Sequence, residues 1–234
     1  MDYWIMRFDT PLTLLLVLIG FILVVFAQIK INSAYSKYSK IKSLKGVTGK
    51  DIARKLLDSN NLSQIQIYET SGKLTDHYNP MKKSINLSSE VYNGNSIASV
   101  AVAAHECGHA IQDKDNYFFF KLRSFIVPIV NFVSYLGYFG FIVSLIGGMT
   151  GYLKLSILIL LATVIFQLIT LPVELDASKR AYNQLQDLGL IYEEETSHVK
   201  KVLSAAAMTY IAGLLSSILN LLRLILILNQ SDDD

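Results

Sequence analysis

Pro11-Leu12-Thr13-Leu14-Leu15-Leu16-Val17-Leu18-Ile19-Gly20-Phe21-Ile22-Leu23-Val24-Val25-Phe26-Ala27 is an apolar run without a single charge. A helix needs roughly 17–25 such residues to cross the hydrocarbon core of a bilayer, and this run is long enough. Three more blocks follow, from about Phe125 to Met149, Leu155 to Val173 and Val202 to Leu228, the last containing Arg223. The chain as a whole agrees with its blocks. Of its 234 residues, 52% are hydrophobic and 17% charged, against about 25% charged in a soluble domain. Mean hydropathy is +0.39. The pattern predicts a mainly α membrane protein with about four transmembrane helices.

Composition also removes several classes. Four Pro and 13 Gly exclude a collagen-like or disordered chain. A single Cys excludes a disulfide framework and any multi-Cys zinc site. A net charge of +2 gives no case for a nucleic-acid partner. The first block is not a good cleaved signal peptide. Met1–Thr10 carries one Arg and two Asp, a poor n-region, and Val25-Phe26-Ala27 is a weak cleavage site. It reads as a retained signal anchor.

Lys and Arg orient the chain. Residues 30–123 hold 14 of them against 8 Asp and Glu, with Lys30, Lys37, Lys40, Lys42 and Lys45 crowded just after the first block. The positive-inside bias places 30–123 in the cytoplasm. Blocks two and three then form a hairpin turning outside near Gly147, Gly148 and Gly151. Residues 174–201 return to the cytoplasm, and Asp232, Asp233 and Asp234 end outside. Two crossings separate 30–123 from 174–201, so the two share a face whatever the absolute direction.

The polar region 30–123 reads as a small α+β unit. Thr48 followed by Asp51 starts a helix to about Asp58, ended by Asn60-Asn61. Gln64-Ile65-Gln66-Ile67 alternates as a strand, and Ser84-Ile85-Asn86-Leu87 makes a second. Ser71-Gly72 and Asn79-Pro80 mark turns. Ser88 or Ser89 caps a turn containing Glu90. Asn95 or Ser96 caps a helix to about Gln112. Two short strands cannot make a broad sheet, so the helices must carry most of the packing.

That last helix contains His105-Glu106-Cys107-Gly108-His109. Positions i and i+4 of a helix share a face, so both imidazoles can reach one Zn²⁺. Glu106 stands beside them, placed to hold a water rather than the metal. The metal acidifies that water, Glu106 takes its proton as it attacks a carbonyl, and Glu106 then passes the proton to the leaving amine. With four His and seven Glu in the chain, this pattern is expected by chance roughly 0.002 times, which makes it specific. The bland alternative is two surface histidines with an incidental Glu. Gly108 permits another element to approach closely despite its cost in a helix.

Catalytic zinc takes three protein ligands and keeps one position open. Cys107 lies two residues from each His, roughly 200° around the helix, and reads as a buried small hydrophobe. Glu174 is the better third ligand. It stands at the cytoplasmic end of the third block, in Leu171-Pro172-Val173-Glu174-Leu175-Asp176-Ala177-Ser178. Its bland alternative is a carboxylate in the headgroup zone, but shared sidedness brings it to the face of His105 and His109.

The chain resembles the bacterial YugP-type family of neutral zinc metallopeptidases in the membrane. More distantly it is similar to membrane gluzincins of the HtpX and CAAX-prenyl-protease type. The resemblance rests on Leu87–Ala98, on Ala103-Ala104-His105-Glu106-Cys107-Gly108-His109-Ala110-Ile111-Gln112, on Leu171–Ser178 and on Asp76-His77-Tyr78-Asn79-Pro80. It covers most of the chain from the first block onward. It implies His105, His109 and Glu174 as ligands and Glu106 as catalyst. The distant relatives place an Asp four residues after the ligand Glu to orient a zinc histidine. Here that position is Ser178, while Asp176 is only two residues on and faces elsewhere. The group orienting the histidine is either Ser178 or one from another segment.

Other polar residues carry weaker signals. His77 and His198 could stabilise an oxyanion, yet each is more often an ordinary loop or surface histidine. Arg180 and Tyr182, past Glu174, could do the same, and Arg180 is equally a positive-inside anchor beside Lys179. Asn93 and Asn95 serve as caps. Arg223 snorkels outward or pairs inside the bundle. The aromatic run Tyr117–Phe120 belongs at the membrane interface.

These readings converge on a multi-pass plasma-membrane zinc metallopeptidase with a zincin-like unit opening to the cytoplasm near the bilayer. Its parts are a signal anchor (1–29), a metalloprotease region (30–123), a transmembrane hairpin (124–173), a third-ligand segment (174–201) and a final span with tail (202–234). The expected partners are the lipid bilayer and peptides or unfolded membrane-proximal protein segments, which could add to a strand edge. Three rivals remain. An intramembrane site-2-type protease needs a less polar helix than one flanked by Asn93, Asn95, Gln112, Asp113 and Asp115. A non-catalytic metal-binding scaffold would bind zinc without cleaving. A transporter needs more intramembrane charge than Arg223 supplies.

Overall fold

Thr48 and Ser96 begin the two helices on which the polar half of the molecule is built. In the computed structural model, described for residues 10–147 and 152–232, the Thr48 hydroxyl accepts the Asp51 amide and the Ser96 hydroxyl accepts the Ser99 amide. Each satisfies one of the amides that a helix start leaves open. The elements in order are α1 (Pro11–Tyr38), α2 (Gly49–Ser59), β1 (Gln66–Thr70), β2 (His77–Asn79), β3 (Ser84–Ser88) and α3 (Ser89–Tyr92). Then come α4 (Ile97–Lys114), α5 (Phe118–Gly147), α6 (Tyr152–Asp187) and α7 (Glu193–Asp232).

The described residues fall into two units. One is drawn from the chain up to Ala27, from Leu122–Thr170 and from Thr209 onward. Three helical stretches are long and apolar enough to cross a membrane among the described residues: Pro11–Tyr38, Leu153–Asp187 and Glu193–Gln230. They leave large apolar side chains exposed, among them Phe21, Ile22, Leu158, Leu168, Leu215 and Leu222. Water would not tolerate a surface of that kind, and lipid does. The second sequence block lies on α5, whose side chains are described only to residue 133. Among the described residues three candidate spans meet that measure, and the second block, where the sequence predicts a fourth, is not tested by it. The expected turn at Gly148 and Gly151, the residues before Thr10, and Asp233 and Asp234 lie outside the described residues.

The other unit comprises Gln28–Lys121 and Leu171–Met208. Its core joins Ile52, Leu56 and Leu57 of α2 to Ile85 and Leu87 of β3 and to Ile97, Val100 and Ala104 of α4. Ala181 and Leu185 of α6 and Val199 and Val202 of α7 complete it. The sheet has the order β1-β3-β2. β1 runs parallel to β3 with Gln66 opposite Ser84 and Thr70 opposite Ser88. β2 is antiparallel to β3 with Tyr78 opposite Ile85, and forms one edge.

Several local expectations need correction. The first strand starts at Gln66, not Gln64. The Ile65 amide bonds Leu62 in a turn and the Ile65 carbonyl accepts from Arg54, so neither is free for a ladder. A third strand, β2, exists where only a turn was expected; three residues are too few to show alternation. Ser88 occupies the N-cap position of α3 but its hydroxyl does not cap. It bonds Asp76 instead. Phe120 is buried in the core at 5% exposure rather than facing an interface, although Phe118 is 67% exposed.

Gly49, the first residue of α2, packs against the backbone of α3, and a Cβ there would overlap the Val91 carbonyl oxygen. Because that neighbour is backbone, it cannot rotate away. Gly49→Ala should therefore destabilise the polar unit by about 1–3 kcal/mol, measured as a lowered melting temperature of the detergent-solubilised protein. An unchanged melting temperature would contradict this packing.

Candidate metal centre

Helix α4 presents His105 and His109 one turn apart, with ring centroids separated by 4.8 Å and rings nearly perpendicular. Helix α6 supplies Glu174, 2% exposed. Glu174 Oε2 lies 3.2 Å from His105 Nε2 and 3.5 Å from His109 Nε2. Each of the three residues offers a ligand atom within 4.8 Å of the others. What lets the two helices approach is Gly108. A Cβ on it would stand 2.5 Å from the carbonyl oxygen of Ala177, so the backbones of α4 and α6 touch there.

This donor set fits zinc. Four tetrahedral ligands at about 2.0–2.1 Å from the ion lie roughly 3.3–3.4 Å from one another. The two separations from Glu174, 3.2 and 3.5 Å, bracket that value, and with all three ligand atoms within 4.8 Å of one another the imidazoles need only draw together to close on an ion. Both imidazoles also have their other nitrogen engaged. His105 Nδ1 is 3.2 Å from the Ser178 hydroxyl, and His109 Nδ1 is 3.0 Å from Gln112 Oε1. That leaves Nε2 of each ring to face the cluster, as a neutral histidine ligand requires.

Glu106 sits beside the cluster, 7% exposed. Its Oε2 accepts the Tyr78 amide of strand β2 at 2.9 Å. Burial pushes its carboxyl up to about 7, while the hydrogen bond from the Tyr78 amide pulls in the other direction. Two residues before Tyr78, Asp76 accepts the Ser88 amide at 2.7 Å and the Ser88 hydroxyl at 3.1 Å. The start of β2 is thereby fixed to the end of β3. Cys107 points away from the cluster, fully buried, with Sγ 3.6 Å from the Ala53 carbonyl. Burial raises its thiol.

The chain belongs to the zinc metallopeptidase family that this site suggests. The family model described as "Putative neutral zinc metallopeptidase" matches residues 13–229. The chain is also 43% identical over 210 residues to "Putative membrane protease YugP" of Bacillus subtilis (strain 168), an alignment covering 89% of this chain and 93% of the relative. No solved structure matches significantly. Zinc is the metal in that family's description, and His105, His109 and Glu174 form a cluster able to hold such an ion.

The remaining sequence candidates are distributed unevenly around this centre. Ser178 reaches it directly through His105. Asp176 reaches it through Gln112, whose Nε2 donates to Asp176 Oδ2 at 2.8 Å. Arg180 turns to Asp176 and Asp115 and lies over the Tyr117 ring. Tyr182 lies beneath Lys200 Nζ. His77 is exposed, its ring nitrogens next to the Thr75 carbonyl and the Asn86 amide. His198 packs against Tyr38. Sequence reasoning missed Gln112, Tyr78 and Asp76. Gln112 had a signal, since it lies three residues after His109 and so shares its face. The amide of Tyr78 had none, because a backbone donor is invisible in a sequence.

Gly108→Ala should separate α4 from α6 and misplace Glu174. Equilibrium dialysis against zinc should show clearly weaker binding, by about 10-fold or more. Retention of full zinc affinity would mean that the helix contact does not set the ligand geometry.

Proposed function

We propose that this protein is a multi-pass, membrane-embedded zinc endopeptidase of the gluzincin kind, with Glu106 as general base. The observation carrying the proposal is the placement of a buried carboxylate, Glu106, beside a His-His-Glu set able to hold a metal ion. Bound zinc would supply Lewis acidity toward a water and toward the scissile carbonyl. The chain's own residues do the rest. His105, His109 and Glu174 hold the metal. Glu106 is held by the Tyr78 amide, accepts the proton of the attacking water on a carboxylate oxygen, and delivers it to the departing amine nitrogen.

The substrates we propose are peptides or unfolded, membrane-proximal protein segments. The open edge of β2, whose Tyr78 amide already touches Glu106, offers an extended chain a place to align. We place the site on the cytoplasmic face of the plasma membrane, with α5 as a fourth span. The lysines after the first apolar block and the length of α5 support that topology. An intramembrane site-2-type protease is the less favoured reading. Helix α4 is not among the candidate spans, and its flanks are polar.

Glu106→Gln keeps the shape of the side chain and removes its basicity. The variant should retain zinc and lose peptide cleavage by at least about 10²–10⁴-fold, followed with a fluorogenic peptide library. Unchanged cleavage would exclude Glu106 as the base. A wild type that binds zinc and cleaves nothing would favour a non-catalytic scaffold. Glu174→Ala should lower the zinc content of purified protein, measured by atomic emission. Undiminished zinc would remove Glu174 from the ligand set.

A further inference from the structure

Gln112 is fully buried, three residues past His109 on α4, and all its polar contacts point in definite directions. Its Nε2 donates to the Val173 carbonyl and to Asp176 Oδ2, both at 2.8 Å. An amide nitrogen has two hydrogens, and both are thus committed to α6. Its Oε1 must then face His109 Nδ1 at 3.0 Å. The reverse orientation would set an amide oxygen against a carbonyl and a carboxylate together. So the oxygen accepts, His109 Nδ1 carries the proton, and Nε2 keeps its lone pair toward Glu174.

The chain of contacts continues outward. Asp176 Oδ2 also accepts Arg180 Nε at 2.6 Å, and Arg180 Nη1 reaches Asp115 Oδ2 at 2.5 Å. Asp115 caps the same helix that carries His109. Arg180 and Asp176 lie one turn apart on the helix that carries Glu174. The relay closes a loop between the two ligand-bearing helices. His105 is served differently, by the lone hydroxyl of Ser178.

We infer that Gln112 is the positioning residue for His109. In this assignment Asp176, anchored by Arg180 and Asp115, fixes the Gln112 amide so that His109 always offers Nε2 to the metal. The role belongs to a neutral amide, with the carboxylate one step further from the ligand. Asp176, two residues after Glu174, thus serves the opposite histidine from Ser178. The inference rests on the metal-site reading above.

The test measures zinc affinity of the detergent-purified full chain by chelator competition, without reference to activity. Gln112→Ala should weaken zinc binding by about 10–100-fold. Gln112→Glu should also weaken it, since its carboxylate would face the Val173 carbonyl and Asp176. Adding Asp176→Asn to Gln112→Glu should recover part of that loss, because the amide introduced by the second substitution can donate to the new carboxylate. A purely packing role would give no such recovery. In Co²⁺-substituted wild type, the Nδ1 proton of His109 should give a slowly exchanging, hyperfine-shifted NMR signal, and Asp176→Ala should make it exchange quickly. Gln112→Ala that binds zinc as tightly as wild type would overturn the inference. If Gln112→Ala does not fold, Asp176→Ala decides, and unaltered zinc affinity with unaltered proton exchange would overturn it. A wild type that takes up no zinc would overturn this inference and the metal-site reading together.

Discussion

Everything at the candidate centre depends on two helix backbones touching where Gly108 meets Ala177. Helix α4 brings both histidines on one face, but two ligands are not enough for a catalytic zinc site. The candidate third comes from α6, and a side chain as short as Glu can bridge only a narrow gap. One missing Cβ sets that gap. Helix α4 is small-sided beyond that point as well. Ala98, Ala101 and Ala104 lie toward the Gly108 side and Ala103 and Ala110 toward the other, and all are essentially buried, so neighbouring elements pack close around it.

Around that contact the polar groups are sorted by role. The carboxylate nearest both imidazoles is the most buried of those in the centre, and it shares with them the position an ion would take. The other carboxylate, Glu106, is held at the sheet edge by a backbone amide. Two acids side by side thus have different partners and different tasks. The sheet supplies that amide and, through Ile85 and Leu87 of β3, part of the core. It has three short strands, and its edge strand is fixed by Asp76 to Ser88 and by the Tyr78 hydroxyl to Asp113.

Much of this was legible in the sequence because it depends on periodicity and spacing. Apolar blocks, the Thr48 cap, the Ser84–Leu87 strand and the four-residue separation of His105 and His109 are all local patterns. Glu174 was reachable through counting crossings, and the close approach at Gly108 through the residue type. What stayed hidden depended on partners distant in the chain. Strand β2 is too short to announce itself. Ser88 gave up its capping role to Asp76, twelve residues earlier. The pairing of Gln112 with Asp176 spans 64 residues, and no window of sequence contains both.

The separation of the ligands has a consequence for biosynthesis. His105 and Glu174 are 69 residues apart, and the donor set is incomplete until the later stretch has left the ribosome. A growing chain therefore carries the histidine pair well before it can close the tripod, when much of the molecule has already been synthesised. Truncated products that stop before residue 174 lack Glu174 altogether, so an interrupted round of translation does not release a fragment with the full candidate donor set.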